Sequence, residues 1–250
     1  MKIKSFAAIP LLLLAGCSTD TTESKNVETE SIWADIYVTS QGNDSRVIAE
    51  LNVSSRHGSN IKLTGRDRLE ANAAGVTKEL KRDDDFFDID YRAVFNISEE
   101  GTRYVVTLTR DSFGDALKTT LIMPKPFTII TPQENQSFHK TDTLEVSWSD
   151  NKQNNTQLDA KLTIRCKKND GNEASVVENY IDTNDDGSLS IDLASLEGLN
   201  DSVLNTKKSC EGEVFMERFN HGTLDSRFAD SSRARAIQQR YSKKFEVRIN

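Results

Sequence analysis

Asp182, Asn184, Asp186 and Ser188 place side-chain oxygens at every second position of one short segment, the pattern in this chain nearest to metal chemistry. Calcium takes oxygen ligands from a loop at this spacing, with a glycine at the sharp turn, where Gly187 stands, and an aliphatic residue two places on, here Leu189. The loop is incomplete. Its last position needs a bidentate carboxylate, and Leu193 stands there, on the apolar face shared with Leu189 and Ile191. Asp192 comes one place too early and faces outward. Strand-like sequence flanks the segment, and Asp186-Gly187 is also a turn signal between two strands. The residues therefore support a hairpin turn, with a calcium-dependent glycan-binding or adhesion loop over 182–192 as the alternative. Apart from calcium, no cofactor is expected.

A second acidic group, Asp83-Asp84-Asp85 followed by Asp88 and Asp90, has the composition of a solvated loop entering a strand, or of a second cation site. The basic residues concentrate at Arg233, Arg235, Arg240, Lys243 and Lys244. They suit an anionic partner such as a phosphate or an acidic glycan; the structural reading is that they guard an edge strand against pairing. Catalysis finds little support. His57, His139 and His221 lie in polar loop contexts, and no nucleophile elbow, zinc-protease helix or phosphate-cradling glycine loop is present. We expect no enzyme. Trp148 shares a face with Leu144 and Val146 and belongs to a core, whereas Trp33 is out of phase with Ile32 and Ala34 and is expected at the surface.

Strands must position these residues. Period-two alternation recurs along the chain and helical periodicity is almost absent, the signal of an all-β protein. Ile32, Ala34, Ile36 and Val38 share one face, and after a turn at Gln41-Gly42-Asn43-Asp44 so do Val47, Ala49, Leu51 and Val53. Asn60 to Thr64 is a short strand. Ile89, Tyr91, Ala93, Phe95 and Ile97 alternate against polar residues, then comes a turn at Glu99-Glu100-Gly101 into Tyr104, Val106 and Leu108. Leu117 to Met123 closes a unit with the strand count of a sandwich. Pro124-Lys125-Pro126 cannot continue a central strand, since each proline lacks the ladder donor. A second unit follows, with alternation through Leu144 to Trp148, Leu162 to Cys166, Leu189 to Leu193, Val214 to Phe219 and Phe245 to Ile249.

The 250 residues suit one or two domains, and 36% hydrophobic residues build cores without supplying the long apolar runs of a polytopic membrane protein. The formal charge of −7 leaves no basic excess for phosphate backbones, which excludes nucleic acid as the main partner.

Lys2 and Lys4, an apolar stretch from Phe6 to Leu14, and small residues at Ala15-Gly16 have the layout of a secretory signal. Leu14-Ala15-Gly16-Cys17 resembles the lipobox of bacterial lipoproteins. That resemblance implies acylation of Cys17 as the first mature residue. With Ser18 rather than Asp after it, the resemblance to Gram-negative lipoproteins implies sorting to the outer membrane; envelope proteins or a cell-wall or surface glycan are the partners expected of a chain at that location. Residues 18–31 are Ser/Thr/Glu-rich and read as a disordered tether. In this exported chain, the remaining Cys166 and Cys210 are expected to be bonded. The loop they close, of about 45 residues, corresponds to roughly 4 kcal/mol in the chain-entropy treatment.

Asp142-Thr143-Leu144-Glu145-Val146-Ser147-Trp148 resembles the second strand of fibronectin type III and related immunoglobulin-like domains, which ends on a core tryptophan. The cysteines depart from the usual immunoglobulin spacing and suit neighbouring strands of one sheet. The expected organisation is a signal peptide at 1–16, lipidated cysteine and tether at 17–31, a β-sandwich at 32–123, a linker at 124–126 and a second β-sandwich at 127–250. The function expected of two tandem immunoglobulin-like sandwiches on a lipid anchor is non-enzymatic: a binding or assembly module of the envelope.

Overall fold

The computed structural model describes residues 21–84, 89–149 and 156–250. The signal peptide, the lipobox with Cys17, and Asp85 and Asp88 lie outside the described residues. The described chain is built of strands joined by turns, with 3-10 turns as its only helical elements.

The first unit contains β1 (Thr21–Glu23), β2 (Ile32–Ser40), β3 (Ser45–Val53), β4 (Asn60–Lys62), β5 (Arg68–Ala73), β6 (Val76–Glu79), β7 (Lys81–Asp84), β8 (Ile89–Phe95), β9 (Arg103–Arg110) and β10 (Asp115–Ile122). One sheet runs β2-β3-β8-β7, with β4 on the end of β3 and β1 parallel to β4; the facing sheet runs β6-β5-β9-β10. Consecutive pairs of strands thus alternate between two antiparallel sheets, the immunoglobulin-like order. The alternating residues meet between the sheets, as expected: Ile32, Ala34, Ile36 and Val38 pack with Val47, Ala49, Leu51, Tyr91, Ala93, Phe95, Tyr104, Val106 and Leu108. The Tyr104 hydroxyl donates to Ile97 O at 2.9 Å and lies 2.7 Å from Ser45 Oγ, tying the start of β9 back to the corner before it.

The second unit contains β11 (Ile129–Thr131), β12 (Ser137–His139), β13 (Thr143–Trp148), β14 (Gln157–Lys167), β15 (Glu173–Thr183), β16 (Ser188–Asp192), β17 (Cys210–His221), β18 (Arg233–Tyr241) and β19 (Phe245–Arg248). The sheet β11-β13-β16 faces β12-β19-β17-β14-β15. Its core includes Leu144, Val146, Trp148, Leu162, Ile164, Val214, Phe245 and Val247. Cys166 is the penultimate residue of β14 and Cys210 begins the adjacent β17. They are disulfide-bonded across 44 residues of sequence, with Cα atoms 4.3 Å apart.

Two expectations are corrected. Residues 21–31 do not form a tether where they are described. Thr21–Glu23 pairs with β4, two 3-10 turns follow, and Ser24, Val27 and Thr29 are buried. Local composition missed this because the ordering partner is far away in sequence: Arg110 Nη2 donates to Ser24 O at 2.8 Å and Val27 O at 2.7 Å. Residues 124–126 do separate the two apolar cores, which divide between Met123 and Phe127, but the chain crosses back. Phe228, Ala234 and Ala236 of the second half lie in the first core, and β18 pairs in parallel with β2, Arg233 opposite Asp35 through Gln238 opposite Ser40.

Candidate functional site

The β17–β18 hairpin reaches out of the second sandwich and becomes the strand next to β2 in the first. Its crossing point is tight. Thr223 and Thr120 exchange two backbone hydrogen bonds of 2.8 Å, and a Cβ on Gly222 would stand 2.7 Å from Thr120 O, so only glycine fits this close approach. Beyond it the tip is fastened residue by residue. Ala229 N donates to Ile32 O at 2.8 Å, Trp33 Nε1 to Ser231 O at 3.0 Å, and Ala34 N to Ser232 Oγ at 3.0 Å. Arg227 donates to Asp115 Oδ1 at 2.8 Å and Ala116 O at 2.9 Å, and Asp115 also accepts from Thr29 at 2.6 Å. Asp225 accepts from Arg227, and the Arg227 guanidinium hydrogen-bonded to it holds its carboxyl down at about 2.

Trp33 is therefore buried, 3% exposed, contrary to its expected surface position: the hairpin tip covers it, and Arg233 stands 5.8 Å over its ring. The five basic residues do not form one patch. Arg233 and Arg235 share one face of β18, Arg240 lies on the other, and Lys243 and Lys244 follow the strand. Arg233 pairs with Asp35, and Arg235 lies 5.9 Å over Phe219. Arg240 turns to the junction, donating to Phe127 O at 2.9 Å in one sandwich and Ser40 O at 3.3 Å in the other. Burial, with Arg218 nearby, lowers its pKa. Lys244 pairs with Glu211 at 2.8 Å, and Lys243 is exposed in the turn after β18. Nor do they guard an edge, because β18 has β17 on one side and β2 on the other.

The acidic turn at 184–187 has its own inward anchor, and it is Asp185, the residue that the calcium spacing leaves unused. Its carboxylate accepts from Trp148 Nε1 at 2.8 Å, Thr156 Oγ1 at 2.7 Å, and Arg218 Nε and Nη2 at 2.6 and 2.7 Å. Arg218 is fully buried. It also donates to Ser149 O at 2.8 Å and to Lys125 O in the linker at 3.2 Å, and its guanidinium lies 4.7 Å over the Phe127 ring. Of the residues with calcium-loop spacing, Asp182 falls within β15, Asn184 and Asp186 lie in the turn, and Ser188 opens β16. Asp186 Oδ1 accepts from Ser188 N at 3.2 Å and Gly187 has φ 101°, but the hairpin expected here is corrected: among the described residues β15 pairs with β14 and β16 with β13, so the turn carries the chain from one sheet to the other. Among the described residues no three His, Cys, Asp or Glu side chains stand where they could share one ion.

An acidic row across the first sheet was not legible in the sequence. Asp35, Glu50, Asp90 and Asp83 are direct cross-strand neighbours on β2, β3, β8 and β7, with Arg233 of β18 closing one end. Like charges in register repel. Arg233 neutralises Asp35, Arg92 bridges Asp90 and Asp83, and the Tyr37 hydroxyl donates to Glu50 at 3.1 Å. Burial and the neighbouring carboxylates, Glu50 first, push the Tyr37 pKa up strongly. Four strands contribute one acid each, so no short motif could have revealed the row. Of the histidines, His139 Nδ1 meets Thr141 Oγ1 and His221 Nε2 meets Gln157 Oε1, each at 2.7 Å.

Strand order and these junction contacts define a class: an immunoglobulin-like β-protein whose two sandwiches are joined through a shared sheet. No protein-family model matches the chain, and no curated protein matches it. Among solved structures it is similar to the FN1–FN3 domains of chicken CNTN1, at 11% identity and a TM-score of 0.21, covering 85% of this chain and 65% of that one. It is similar also to fibronectin(III)-like modules of Clostridium thermocellum CbhA, at 10% identity and a TM-score of 0.22, covering 84% and 94%. For a chimeric titin Z1Z2 the figures are 12%, 0.22, 87% and 97%. Scores this low leave the fold resting on the chain's own strand order.

Proposed function

We propose that this chain is a lipoprotein of the bacterial envelope, held in the outer membrane through Cys17, whose paired sandwiches serve as a non-enzymatic binding or assembly module. The observation that carries the reading is the β17–β18 hairpin. The second sandwich gives a strand to the first, and buried cations are spent on backbone carbonyls of the junction instead of on an open cleft. Such an arrangement holds two surfaces at a fixed angle, which suits a module that presents a composite surface to a partner.

The test is crosslinking in intact cells, followed by affinity recovery of the C-terminally tagged full-length chain. A small, repeatable set of envelope proteins or a defined glycan is expected. Recovery of the chain alone, over several crosslinker lengths, removes the binding reading. Incorporation of radiolabelled palmitate, lost in Cys17→Ser, separately tests the anchor.

A further inference from the structure

The ordering of residues 21–31 sets how far the fold can stand from an anchored Cys17. Described structure begins with β1 at Thr21, so Ser18, Thr19 and Asp20 alone separate it from Cys17. Even fully extended, the four steps from Cys17 to Thr21 span at most about 14 Å. A disordered tether over 18–31 would have reached up to about 50 Å. Charges act across roughly one Debye length, about 10 Å at 0.1 M salt, so the shorter reach brings the side chains around Thr21 within range of headgroup charge.

Thr21 lies at the end of the first sandwich away from the second. It stands opposite Asn60, Asn60 opposite Asn52, and Asn52 opposite Trp33 near the start of β2. The junction is at the other end of that strand, where Ser40 O accepts from Arg240. The seven steps from Trp33 to Ser40 cover about 23 Å.

The chain beside Thr21, residues 54–66, contains no Asp or Glu, in a protein of formal charge −7. Arg56 and Arg66 are exposed and Lys62 is half-buried, and none of the three has an ion pair among the described residues. Glu23, opposite Lys62, pairs instead with Lys25 at 2.7 Å. Glu28 and Glu30 flank Thr29, which donates to Asp115 at the start of β10, and so lie towards the facing sheet. Backbone contacts hold the cations in place. Val53 N donates to Ser59 O at 2.9 Å, Asn52 Nδ2 to Arg56 O at 3.2 Å and Asp67 N to Thr64 O at 3.2 Å. A Cβ on Gly58 would stand 1.8 Å from Val53 O, so the loop folds back on β3 only with glycine there.

We infer that this end of the first sandwich rests, through Arg56, Lys62 and Arg66, on anionic headgroups of the bilayer that holds Cys17, with the second sandwich projecting away from it. An acyl anchor and a cationic patch make a two-signal attachment, in which the lipid supplies retention and the cations supply orientation. The inference rests on the reading of Cys17 as a lipid anchor and adds the face that the anchor brings to the membrane.

The test uses the acylated chain purified from cells and reconstituted into vesicles of phosphatidylcholine, alone or with phosphatidylglycerol in equal parts. Cys17 is acylated and Cys166 is bonded to Cys210, so Ser55→Cys or Thr206→Cys gives a single labelling site. The first is beside Arg56, and the second is in the turn that meets Lys167 at the disulfide end of the second sandwich. Energy transfer to a headgroup acceptor is expected to be at least threefold more efficient from position 55 than from position 206. Amide exchange within 54–66 should be at least threefold slower on the vesicles with phosphatidylglycerol, and Arg56→Gln with Lys62→Gln and Arg66→Gln should abolish that difference. Equal transfer from the two labels overturns the orientation. Exchange that is indifferent to phosphatidylglycerol, or a difference that survives in the triple variant, overturns the headgroup contact. A chain that takes up no palmitate and leaves the vesicles rejects the anchor and this inference with it; an anchored chain that fails either comparison rejects this inference alone.

Discussion

Arg218 and Asp185 meet in a two-point ion pair inside the second sandwich, Nε to Oδ2 at 2.6 Å and Nη2 to Oδ1 at 2.7 Å, and both side chains are almost wholly buried. The pair sits between the linker, through Lys125 O, and the core, through Trp148 Nε1. Removing one partner of a buried pair leaves an uncompensated charge, at a cost of about 3–5 kcal/mol. Asp185→Ala should lose stability in that range in urea unfolding, and Asp185→Asn less, because its amide oxygen still accepts. An unchanged midpoint for the alanine variant would show that the pair is dispensable.

Arg110 plays a comparable part in the first sandwich. It is fully buried, pairs with Asp67 at 3.0 Å, lies 4.4 Å over Phe113 and holds the carbonyls of Ser24 and Val27. Arg110→Met keeps apolar volume and removes the donors, leaving Asp67 buried and unpaired. Amide exchange and proteolysis should then accelerate first at 21–31. Loss of protection uniform across the first sandwich would instead assign Arg110 to global stability alone.

Reducing Cys166–Cys210 frees a chain segment of 44 residues, worth about 4 kcal/mol in the chain-entropy treatment. Cys166→Ala with Cys210→Ala should lower the melting temperature clearly. A thiol assay on the unfolded, unreduced Cys17→Ser chain should find no free thiol, and two free thiols per chain would contradict the bond.

The hairpin tip has an acid limit. Arg227 depresses the Asp225 carboxyl to about 2 from its ordinary 3.8. A depressed acid stabilises the fold above its unfolded pKa and loses that contribution as pH falls through its folded value. Docking of the tip should therefore weaken between about pH 4 and pH 2. Trp33 fluorescence should report it, since Trp33 donates to Ser231 in the tip. In Asp225→Asn this acid-dependent component should be missing; an identical pH profile in that variant would rule Asp225 out as its source.

Legibility followed the range of each interaction. The faces of β2, β3, β8, β9, β13 and β14 could be read from alternation, because strand geometry sends successive side chains to opposite sides whatever lies beyond them. By contrast β5 and β6, in Arg-Leu-Glu-Ala-Asn-Ala-Ala-Gly-Val-Thr-Lys-Glu, are poor in β-branched and aromatic residues. They form a hairpin because Ala74 and Gly75 turn with positive φ and β9 supplies the ladder. The basic run at 233–244 was legible as charge but not as placement, since Arg233 meets Asp35 of β2, Arg240 meets Ser40 O and Phe127 O, and Arg235 and Lys244 meet Phe219 and Glu211 of β17, none of them near in sequence.

By itself the sequence determined the all-β class and the inward faces of the main strands, and with Cys17 set aside as a lipid anchor it left Cys166 and Cys210 as the expected pair. The class and the faces depend on residue parity and local turn chemistry. Only the tertiary structure decided that residues 21–31 are ordered, that Trp33 is covered, that Arg110, Arg218 and Arg240 point inward, and that β18 enters the first sheet. Each of those outcomes turns on a polar group meeting a partner tens to hundreds of residues away. A buried cation is tolerated only where that partner arrives, and its arrival is a property of the folded chain.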